Sequence, residues 1–290
     1  MTNAGSESVL LVDDPRPGVR RLTMNRPHKR NALSNPLRTA ILAALEEADN
    51  DPSVSVTILR GAGPCFSSGY DLSADSTVGQ PFHTAGGPGQ WARHAVDGWL
   101  RIWDLQKPVI AQVHGYCLAG GSELATCCDL VYVAEDAQIG YPPVRLMSPP
   151  DNQFHPRLMG LRRAMEMYLT GDSISGIEAA ESGFANRAFP AEELDERVLA
   201  VAERVAKIPT ELQQINKRSV HRAMEIMGLR TAIRAGTEMQ ALAFSTEASR
   251  AYLNRFRRDG SSVSQLLSER DAAFSDYRTA GREPERDAGE

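Results

Sequence analysis

The sequence contains no apolar run near the roughly 20 residues that a membrane-spanning helix needs. Its N-terminal stretch, MTNAGSESVLLVDDP, also lacks the basic segment followed by an apolar segment that marks a secretory signal. Arginine and lysine number 32 against 37 acidic residues, giving a net charge of -5. This excludes the basic surplus typical of nucleic-acid binders and of proteins that attach to anionic membranes. We therefore expect a cytoplasmic protein with neither a membrane nor a nucleic acid as partner.

Cysteine is scarce, with four residues among 290. Cys127 and Cys128 are adjacent, which is a poor geometry for a mutual bridge, and no regular spacing relates them to Cys65 and Cys117. Neither a CxxC nor an HExxH motif occurs, so the sequence offers no zinc-binding pattern. We predict reduced, mostly buried thiols in a cytosolic protein and no metal site.

The predicted secondary structure changes once along the chain, after Phe189. Before that point short β-rich runs alternate with helical stretches, and runs such as VSVTILRG and PVIAQVHG are continuously apolar, as buried parallel strands are. After it, four segments have helical periodicity with glycine and proline between them. We place an α/β core at residues 9–207 and a helical region at 208–278. The polar ends, 1–8 and 279–290, are expected to be disordered.

One early segment, NPLRTAILAALEEADND, illustrates how clear the helical signal is. Ser34 or Asn35 can cap this helix, and Pro36 suits its first turn. Its predicted apolar stripe consists of Leu37, Ile41, Ala44, Leu45 and Ala48.

Two glycine-bearing turns follow strands that are expected to be buried. They are RGAGPCFSSGYDLS and AQVHGYCLAGGSELATCCD, and each delivers small residues before entering a helix. Backbone N–H groups at such turns are unpaired donors that the helix dipole reinforces. Two donors converging from separate turns would form an oxyanion hole. The second turn also places Glu123 among apolar residues, where a charge must be paired, used as a cap or used in chemistry.

Four stretches of the chain resemble the crotonase, or enoyl-CoA hydratase/isomerase, superfamily. They occur in family order and spacing, cover nearly all of residues 9–255, and read MNRPHKRNALS, FSSGYDLS, KPVIAQVHGYCLAGGSELATCCDLVYVAEDAQIGYP and AMEMYLTGDSISGIEAAESGFANRAFP. The resemblance implies an α/β fold, a spiral of ββα turns whose C-terminal helices pack a homotrimer or homohexamer. It also implies an acyl-CoA thioester as substrate, with no cofactor besides that coenzyme A.

The same resemblance assigns roles to the two turns. It implies that the backbone N–H groups of Tyr70 and Gly120 hold the thioester oxygen while it gains enolate charge. Glu123 matches the position of one of the two catalytic glutamates of hydratases, where it can activate water or move a proton. The alternative is that Glu123 only stabilises the N-terminus of its helix electrostatically.

The chain departs from the hydratase pattern at the second glutamate. That residue belongs to a GxPE stretch, and Pro143, which transfers no proton, stands at its position here. Asp151 falls where dienoyl-CoA isomerases and 4-chlorobenzoyl-CoA dehalogenase carry a catalytic aspartate, although a gap in this region could shift the match. Asp151 is therefore either a catalytic partner or a helix cap after two prolines. His155, one turn later if the segment is helical, either assists the aspartate or is structural.

The CoA and acyl sites follow from the resemblance as well. The CoA-binding residues are expected to be Arg26, Lys29, Arg30, Ser68, Asp71 and Leu72, with a solvated basic turn as the alternative for the three cations. Trp99, Trp103 and Pro143 are expected to line the acyl pocket, with packing in the core as the alternative for the tryptophans, including Trp91. The glycine- and proline-bearing stretch before Trp91 is expected to be a lid. Asp129 and His114 are expected to hold backbone geometry.

The favoured function is hydration or isomerisation of an enoyl-CoA, with Glu123 as acid/base and Asp151 as its partner. The alternative within enzymes is hydrolase, lyase or dehalogenase-type chemistry on a bulkier acyl-CoA, with Asp151 as base or nucleophile. A non-catalytic RNA- or protein-binding protein of the same fold is the alternative from another class. The acidic charge balance and the presence of Glu123 argue against it.

Overall fold

The structure is a computed structural model that describes residues 8–73, 76–258 and 262–274. Apart from Ser8, the ends expected to be disordered lie outside these residues. No helix in the described ranges combines the length and the apolar character that crossing a membrane requires.

Strands and helices alternate up to Phe189, as the sequence predicts. The strands are β1 (Leu10–Arg16), β2 (Val19–Met24), β3 (Val56–Gly61), β4 (Val109–Val113), β5 (Tyr116–Leu118), β6 (Leu130–Ala134), β7 (Gln138–Gly140), β8 (Ile174–Ser175) and β9 (Arg187–Phe189). The helices are α1 (Asn35–Asn50), α2 (Gln90–Asp104), α3 (Gly120–Thr126), α4 (His155–Thr170), α5 (Gly176–Ser182), α6 (Leu194–Ala206), α7 (Thr210–Ile226), α8 (Leu229–Ser245), α9 (Glu247–Arg258) and α10 (Val263–Ala272).

The strands form two sheets. The larger sheet has the order β1-β2-β3-β4-β6-β9, and its neighbours run parallel except for β1 and β2. In the smaller sheet β5 is parallel to β7, which pairs antiparallel with β8. Parallel bridges between Leu33 and Tyr70 and between Ser67 and Cys117 extend this second layer to earlier turns. The predicted spiral of ββα turns is confirmed.

Burial follows the apolar patterns that predicted these elements. Strand β4 is buried along its whole length, and β3 is buried except at Arg60. Helix α1 buries most of its predicted stripe, and Ser34 caps it by accepting a hydrogen bond from the Leu37 N–H at 3.4 Å. Each leucine or isoleucine fully buried in this way contributes about 1.5–3 kcal/mol.

The C-terminal region is helical, with one break that the periodicity did not show. The third predicted helical segment divides into α8 and α9 at Thr246, whose backbone is extended. Its hydroxyl accepts a hydrogen bond from the Ser249 N–H at 3.3 Å, so Thr246 begins the second helix as a cap residue. Assembly through this region stays a prediction.

Several polar residues and thiols have the structural roles expected of them. All four cysteines are buried and free. The Asp129 carboxylate accepts the Val109 N–H at 2.8 Å and pairs with Lys217 at 2.9 Å, which fixes the start of β4. The His114 imidazole bonds the Gly63 carbonyl at 2.8 Å and so holds the neighbouring turn.

Candidate active site

The two glycine-bearing turns meet where the second layer passes from one spiral turn to the next. The Leu118 N–H donates to the Ser67 carbonyl at 3.0 Å, and this bond joins the two loops. Gly69 has a φ of +105°, and a Cβ at this residue would lie 2.7 Å from the Ala119 Cβ. Only glycine accommodates both the backbone angle and the close approach. The two turns therefore approach each other closely at Gly69 and Ala119–Gly120.

Backbone donors are available at this meeting point. Gly120 is the first residue of α3, and N–H groups in a first helical turn have no acceptor within their helix. Among the described residues, no backbone or side-chain acceptor meets the Tyr70 N–H either. The residue before Gly120, Ala119, has a φ of +51°, which costs a residue with a side chain on the order of 1–3 kcal/mol. This arrangement can hold an oxygen that gains negative charge.

The Glu123 carboxyl is fully buried beside these donors. One oxygen, Oε2, accepts the Tyr70 hydroxyl at 2.8 Å, and Oε1 accepts the backbone N–H of Asp151 at 2.5 Å. The Asn152 N–H at 3.4 Å and the Tyr141 hydroxyl add weaker support. Burial raises the pKa of Glu123 to about 7, although these hydrogen bonds oppose the rise.

A carboxyl with this pKa is present in both protonation states near neutral pH. It can therefore accept and donate a proton, as a general acid/base must. The alternative role as an electrostatic helix cap fits poorly, because the hydrogen bonds of the Glu123 side chain go to Tyr70, Tyr141 and Asp151–Asn152 rather than to α3.

Asp151 lies next to Glu123, and its expected alternative role as a helix cap is wrong. Helix α4 begins at His155, where Pro156 occupies the first turn, and no side chain caps it. The Asp151 carboxyl is buried, and within the described ranges its Oδ1 atom has no hydrogen-bond partner, whereas Gln240 of α8 bonds the carboxyl group. Burial and the neighbouring Glu123 charge hold the pKa of Asp151 well above its ordinary value, which disfavours the ionised form of this carboxyl.

Among the described residues, the His155 ring forms no hydrogen bond with Glu123. Its ring contacts the Tyr168 hydroxyl at 3.2 Å and the Ser122 hydroxyl at 3.5 Å. The four residues from Asp151 to Phe154 are not helical, so the expected helical spacing between Asp151 and His155 does not exist. Burial lowers the pKa of His155 to about 4, which leaves a neutral, structural imidazole.

A buried arginine, Arg38, lies over the Tyr70 ring. The Arg38 guanidinium, from α1, donates to the Asn35 side chain at 3.0 Å and to the His94 carbonyl at 3.4 Å. Its central carbon lies 5.2, 5.4 and 5.9 Å from the ring centres of Trp91, Trp99 and Tyr70. In the part of the chain that the structure describes, no carboxylate is within ion-pair distance of Arg38, and its Nε atom has no partner. It is a cation enclosed by aromatic faces.

The residues expected to form an acyl pocket separate into different environments. The Trp99 indole is buried and donates to the Tyr70 hydroxyl at 2.9 Å, which places it in the site. Trp103 stacks on His221 at 3.5 Å and packs near Phe154, which is an ordinary helix-packing role. Pro143 lies in a 3-10 turn and accepts the Met147 N–H at 2.8 Å through its carbonyl.

The stretch expected to be a lid packs against the helices of the site. The Asn35 side chain donates to the carbonyls of Ser76 at 2.9 Å and Val78 at 2.8 Å. The Phe82 ring lies 4.3 Å from the His94 ring. This stretch therefore covers the side of the site that holds Arg38.

The six residues expected to bind coenzyme A occupy two adjoining loops. The Leu33 N–H donates to the Gly69 carbonyl at 2.8 Å, and the Ser68 N–H donates to the Arg30 carbonyl at 3.0 Å. Arg26 and Asp71 form an ion pair of 2.8 Å that braces the loops against each other. Lys29, Arg30 and Leu72 are exposed.

Sequence reasoning missed three features around Glu123: the Arg38 cation, the Tyr141 hydroxyl and the hydrogen bond from the Tyr70 side chain. For Arg38 a signal was present, because it lies one helical turn before Ile41 and Leu42 on the buried face of α1. Within the described ranges no cluster of histidine, cysteine or acidic residues could hold a metal ion.

Comparisons with known proteins identify the family. A family model described as Enoyl-CoA hydratase/isomerase matches residues 15–262. A Mycobacterium tuberculosis protein named as an enoyl-CoA hydratase, EchA13, is 34% identical over 250 residues, which cover 77% of this chain and 75% of that protein.

Solved structures give the same result. A crystal structure of an enoyl-CoA hydratase from Mycobacterium smegmatis superposes with a TM-score of 0.83 at 29% identity, covering 94% of this chain and 96% of that one. An enoyl-CoA hydratase/isomerase from Xanthobacter autotrophicus Py2 superposes with a TM-score of 0.80 at 33% identity, covering 93% and 100%.

Proposed function

The chain belongs to the enoyl-CoA hydratase/isomerase family, and on this premise we propose that it hydrates or isomerises an enoyl-CoA thioester with Glu123 as the acid/base. One observation carries the proposal: a buried carboxyl whose pKa lies near 7 is hydrogen-bonded to Tyr70, whose ring lies against Gly120, where the two turns approach each other. Relatives that carry the name enoyl-CoA hydratase support the substrate class.

The proposed chemistry divides between the backbone and one side chain. The N–H groups of Tyr70 and Gly120 bind the thioester oxygen and stabilise the negative charge that develops on it. Loss of one such donor typically slows a reaction by about 10²–10³. Glu123 accepts a proton from water in a hydration, or from a substrate carbon in an isomerisation. A positioned acid/base group contributes roughly 10²–10⁴ in rate.

Covalent chemistry through Asp151 is the less favoured function. A nucleophilic aspartate must be ionised, whereas burial and the Glu123 charge raise the pKa of Asp151 and so disfavour its ionised form. Its backbone N–H, which Glu123 Oε1 accepts at 2.5 Å, supports Glu123 instead. We therefore assign Asp151 the role of holding the general acid/base in place.

Binding of coenzyme A is proposed at the loops of residues 26–33 and 67–73. Lys29 and Arg30 are exposed cations suited to phosphate groups, while the ion pair of Arg26 with Asp71 keeps the loops together. Coenzyme A enters as part of the substrate, and no further cofactor is proposed.

A cytoplasmic homotrimer or homohexamer is the proposed state. Exposed apolar residues on α7, such as Leu212 and Ile215, support an assembly.

The test is turnover of an enoyl-CoA panel by the wild-type protein, by Glu123→Gln and by the matched control Glu135→Gln. The panel pairs 2-enoyl with 3-enoyl thioesters, and mass spectrometry separates addition of water from movement of the double bond. We expect Glu123→Gln to abolish turnover and Glu135→Gln, which removes an exposed carboxylate outside the site, to retain it. Wild-type protein that turns over no member of the panel, or Glu123→Gln with full activity, would contradict the proposal.

A further inference from the structure

We propose that the Tyr70 phenol is the second proton-transfer group of this site and works as a pair with Glu123. Sequence reasoning gave Tyr70 only a backbone role. The inference rests on the proposed function, because the pair serves the same reaction. It assigns a side chain to the proton transfer that Pro143 cannot perform.

The hydrogen-bond direction at Tyr70 is determined by its two partners. The Trp99 indole can only donate, and its Nε1 atom lies 2.9 Å from the phenol oxygen. The phenol proton is therefore directed to Glu123 Oε2 at 2.8 Å. Trp99 is fully buried, so this chain of donors is held in one arrangement. Proton transfer between Tyr70 and Glu123 requires no movement of either residue.

The Tyr70 ring also lies where the thioester would react. A Cβ placed on Gly120 would stand 2.6, 2.7 and 2.8 Å from three carbons of the Tyr70 ring. The ring therefore packs directly on the backbone of a proposed oxyanion donor. In this proposal a thioester bound at that donor contacts the phenol, which makes Tyr70 a catalytic residue.

Other groups around Glu123 are less suited to the role. The Tyr141 hydroxyl bonds Glu123, and its ring belongs to a cluster with Met159 and Met167, against which Ala119 of the second turn packs. Asp151 reaches Glu123 through its backbone N–H. Tyr70 combines a hydrogen bond to Glu123 with the nearest side-chain atoms at Gly120.

Burial and the nearby Glu123 and Asp151 raise the pKa of the Tyr70 phenol well above its ordinary value, and the Arg38 guanidinium opposes that rise. In this proposal a Tyr70 phenolate is therefore a transient species, which keeps the Trp99 hydrogen bond and lies near Arg38, whose central carbon is 5.9 Å from the ring centre. Negative charge then passes from Glu123 to the substrate and on to Tyr70. At no step does the buried site gain a further negative charge, which a low-dielectric interior would oppose.

In a hydration, protons move between water, Glu123, the substrate and Tyr70. The Glu123 carboxylate takes a proton from water while the water oxygen bonds to Cβ, and the electron pair of the double bond moves into the thioester enolate. The enolate Cα then takes the phenol proton of Tyr70, which leaves a phenolate. The Glu123 acid returns its proton to Tyr70 along their hydrogen bond, so one water has been added and both residues are restored. In an isomerisation the pair removes a proton from one carbon and supplies one to another.

The experiment compares wild-type protein, Tyr70→Phe and the control Tyr132→Phe on an enoyl-CoA that the wild type turns over. Tyr132 stacks on Phe189 at the large sheet, outside the site. We expect Tyr70→Phe to lower kcat by about 10²–10⁴ with little change in KM, and Tyr132→Phe to keep wild-type kinetics. The acid limb of the pH profile in Tyr70→Phe should move to higher pH, because the Tyr70 hydrogen bond holds down the pKa of Glu123 in the wild type and its loss lets that pKa rise.

A second variant separates catalysis from mere packing. Site-specific 3-fluorotyrosine at position 70 keeps both hydrogen bonds and the phenol proton, so kcat should stay within about tenfold of wild type, unlike in Tyr70→Phe. Tyr70→Phe with kcat within about twofold of wild type, or 3-fluorotyrosine protein with kcat as low as that of Tyr70→Phe, overturns this inference alone. A wild-type protein that turns over no enoyl-CoA overturns the proposed function and this inference together.

Discussion

Replacement of Glu123 by glutamine should stabilise the protein, and the gain should depend on pH. Burial raises the pKa of Glu123 from 4.5 to about 7 in the folded chain. Between these values the folded state holds a proton that the unfolded state releases, so stability falls as the pH rises. Holding Glu123 ionised in the folded protein lowers the free energy of unfolding by about 3 kcal/mol. This loss is fully present above pH 7 and absent below pH 4.5. Glutamine carries no charge and avoids this cost.

Glutamine also introduces a loss that does not depend on pH. Its amide has one acceptor oxygen, whereas the carboxylate accepts hydrogen bonds from both Asp151 and Tyr70. One weakened hydrogen bond costs about 1 kcal/mol. The quantity to measure is therefore the change in the mutational effect between two pH values, in which this constant loss cancels.

The assay is urea unfolding of wild-type protein and Glu123→Gln at pH 4.5 and pH 8, at equal protein concentration, with Glu135→Gln as the control for loss of an exposed carboxyl. We expect the free energy of unfolding of Glu123→Gln, relative to wild type, to improve by about 3 kcal/mol from the lower to the higher pH. A mutational effect that is equal at both values, or that becomes more destabilising at pH 8, would refute the assignment of Glu123 as a buried carboxyl strained by desolvation.

Three further outcomes are expected. Gly120→Ala should destabilise the protein by about 1–3 kcal/mol in thermal unfolding and abolish turnover, because its Cβ would meet the Tyr70 ring at 2.6 Å; wild-type activity would contradict this packing. Asp151→Asn should keep measurable turnover, since the backbone N–H to Glu123 remains, and complete loss would instead make the carboxyl catalytic. Light scattering at micromolar concentration should give the mass of a trimer or hexamer, and a monomeric mass would contradict the proposed assembly.

Local patterns were sufficient for much of the fold. Continuous apolar runs predicted buried strands such as β3 and β4, and a cap residue with an apolar stripe predicted α1, because burial and capping depend on residues close in sequence. The glycine turns and the isolated Glu123 were also visible, since both are unusual in an apolar setting. The break at Thr246 was missed because helical periodicity continues across it.

Only the tertiary structure decided what surrounds Glu123. Tyr70 and Glu123 are 53 positions apart, and Asp151 approaches from 28 positions later, so their contacts exist only once the spiral stacks its turns. Arg38 reaches the site from a different helix, and its charge gave no indication of which rings would enclose it. A sequence pattern states which face of an element is buried. The direction and partner of a polar side chain within that buried region depend on backbone angles and neighbours from distant segments, which only the folded chain supplies.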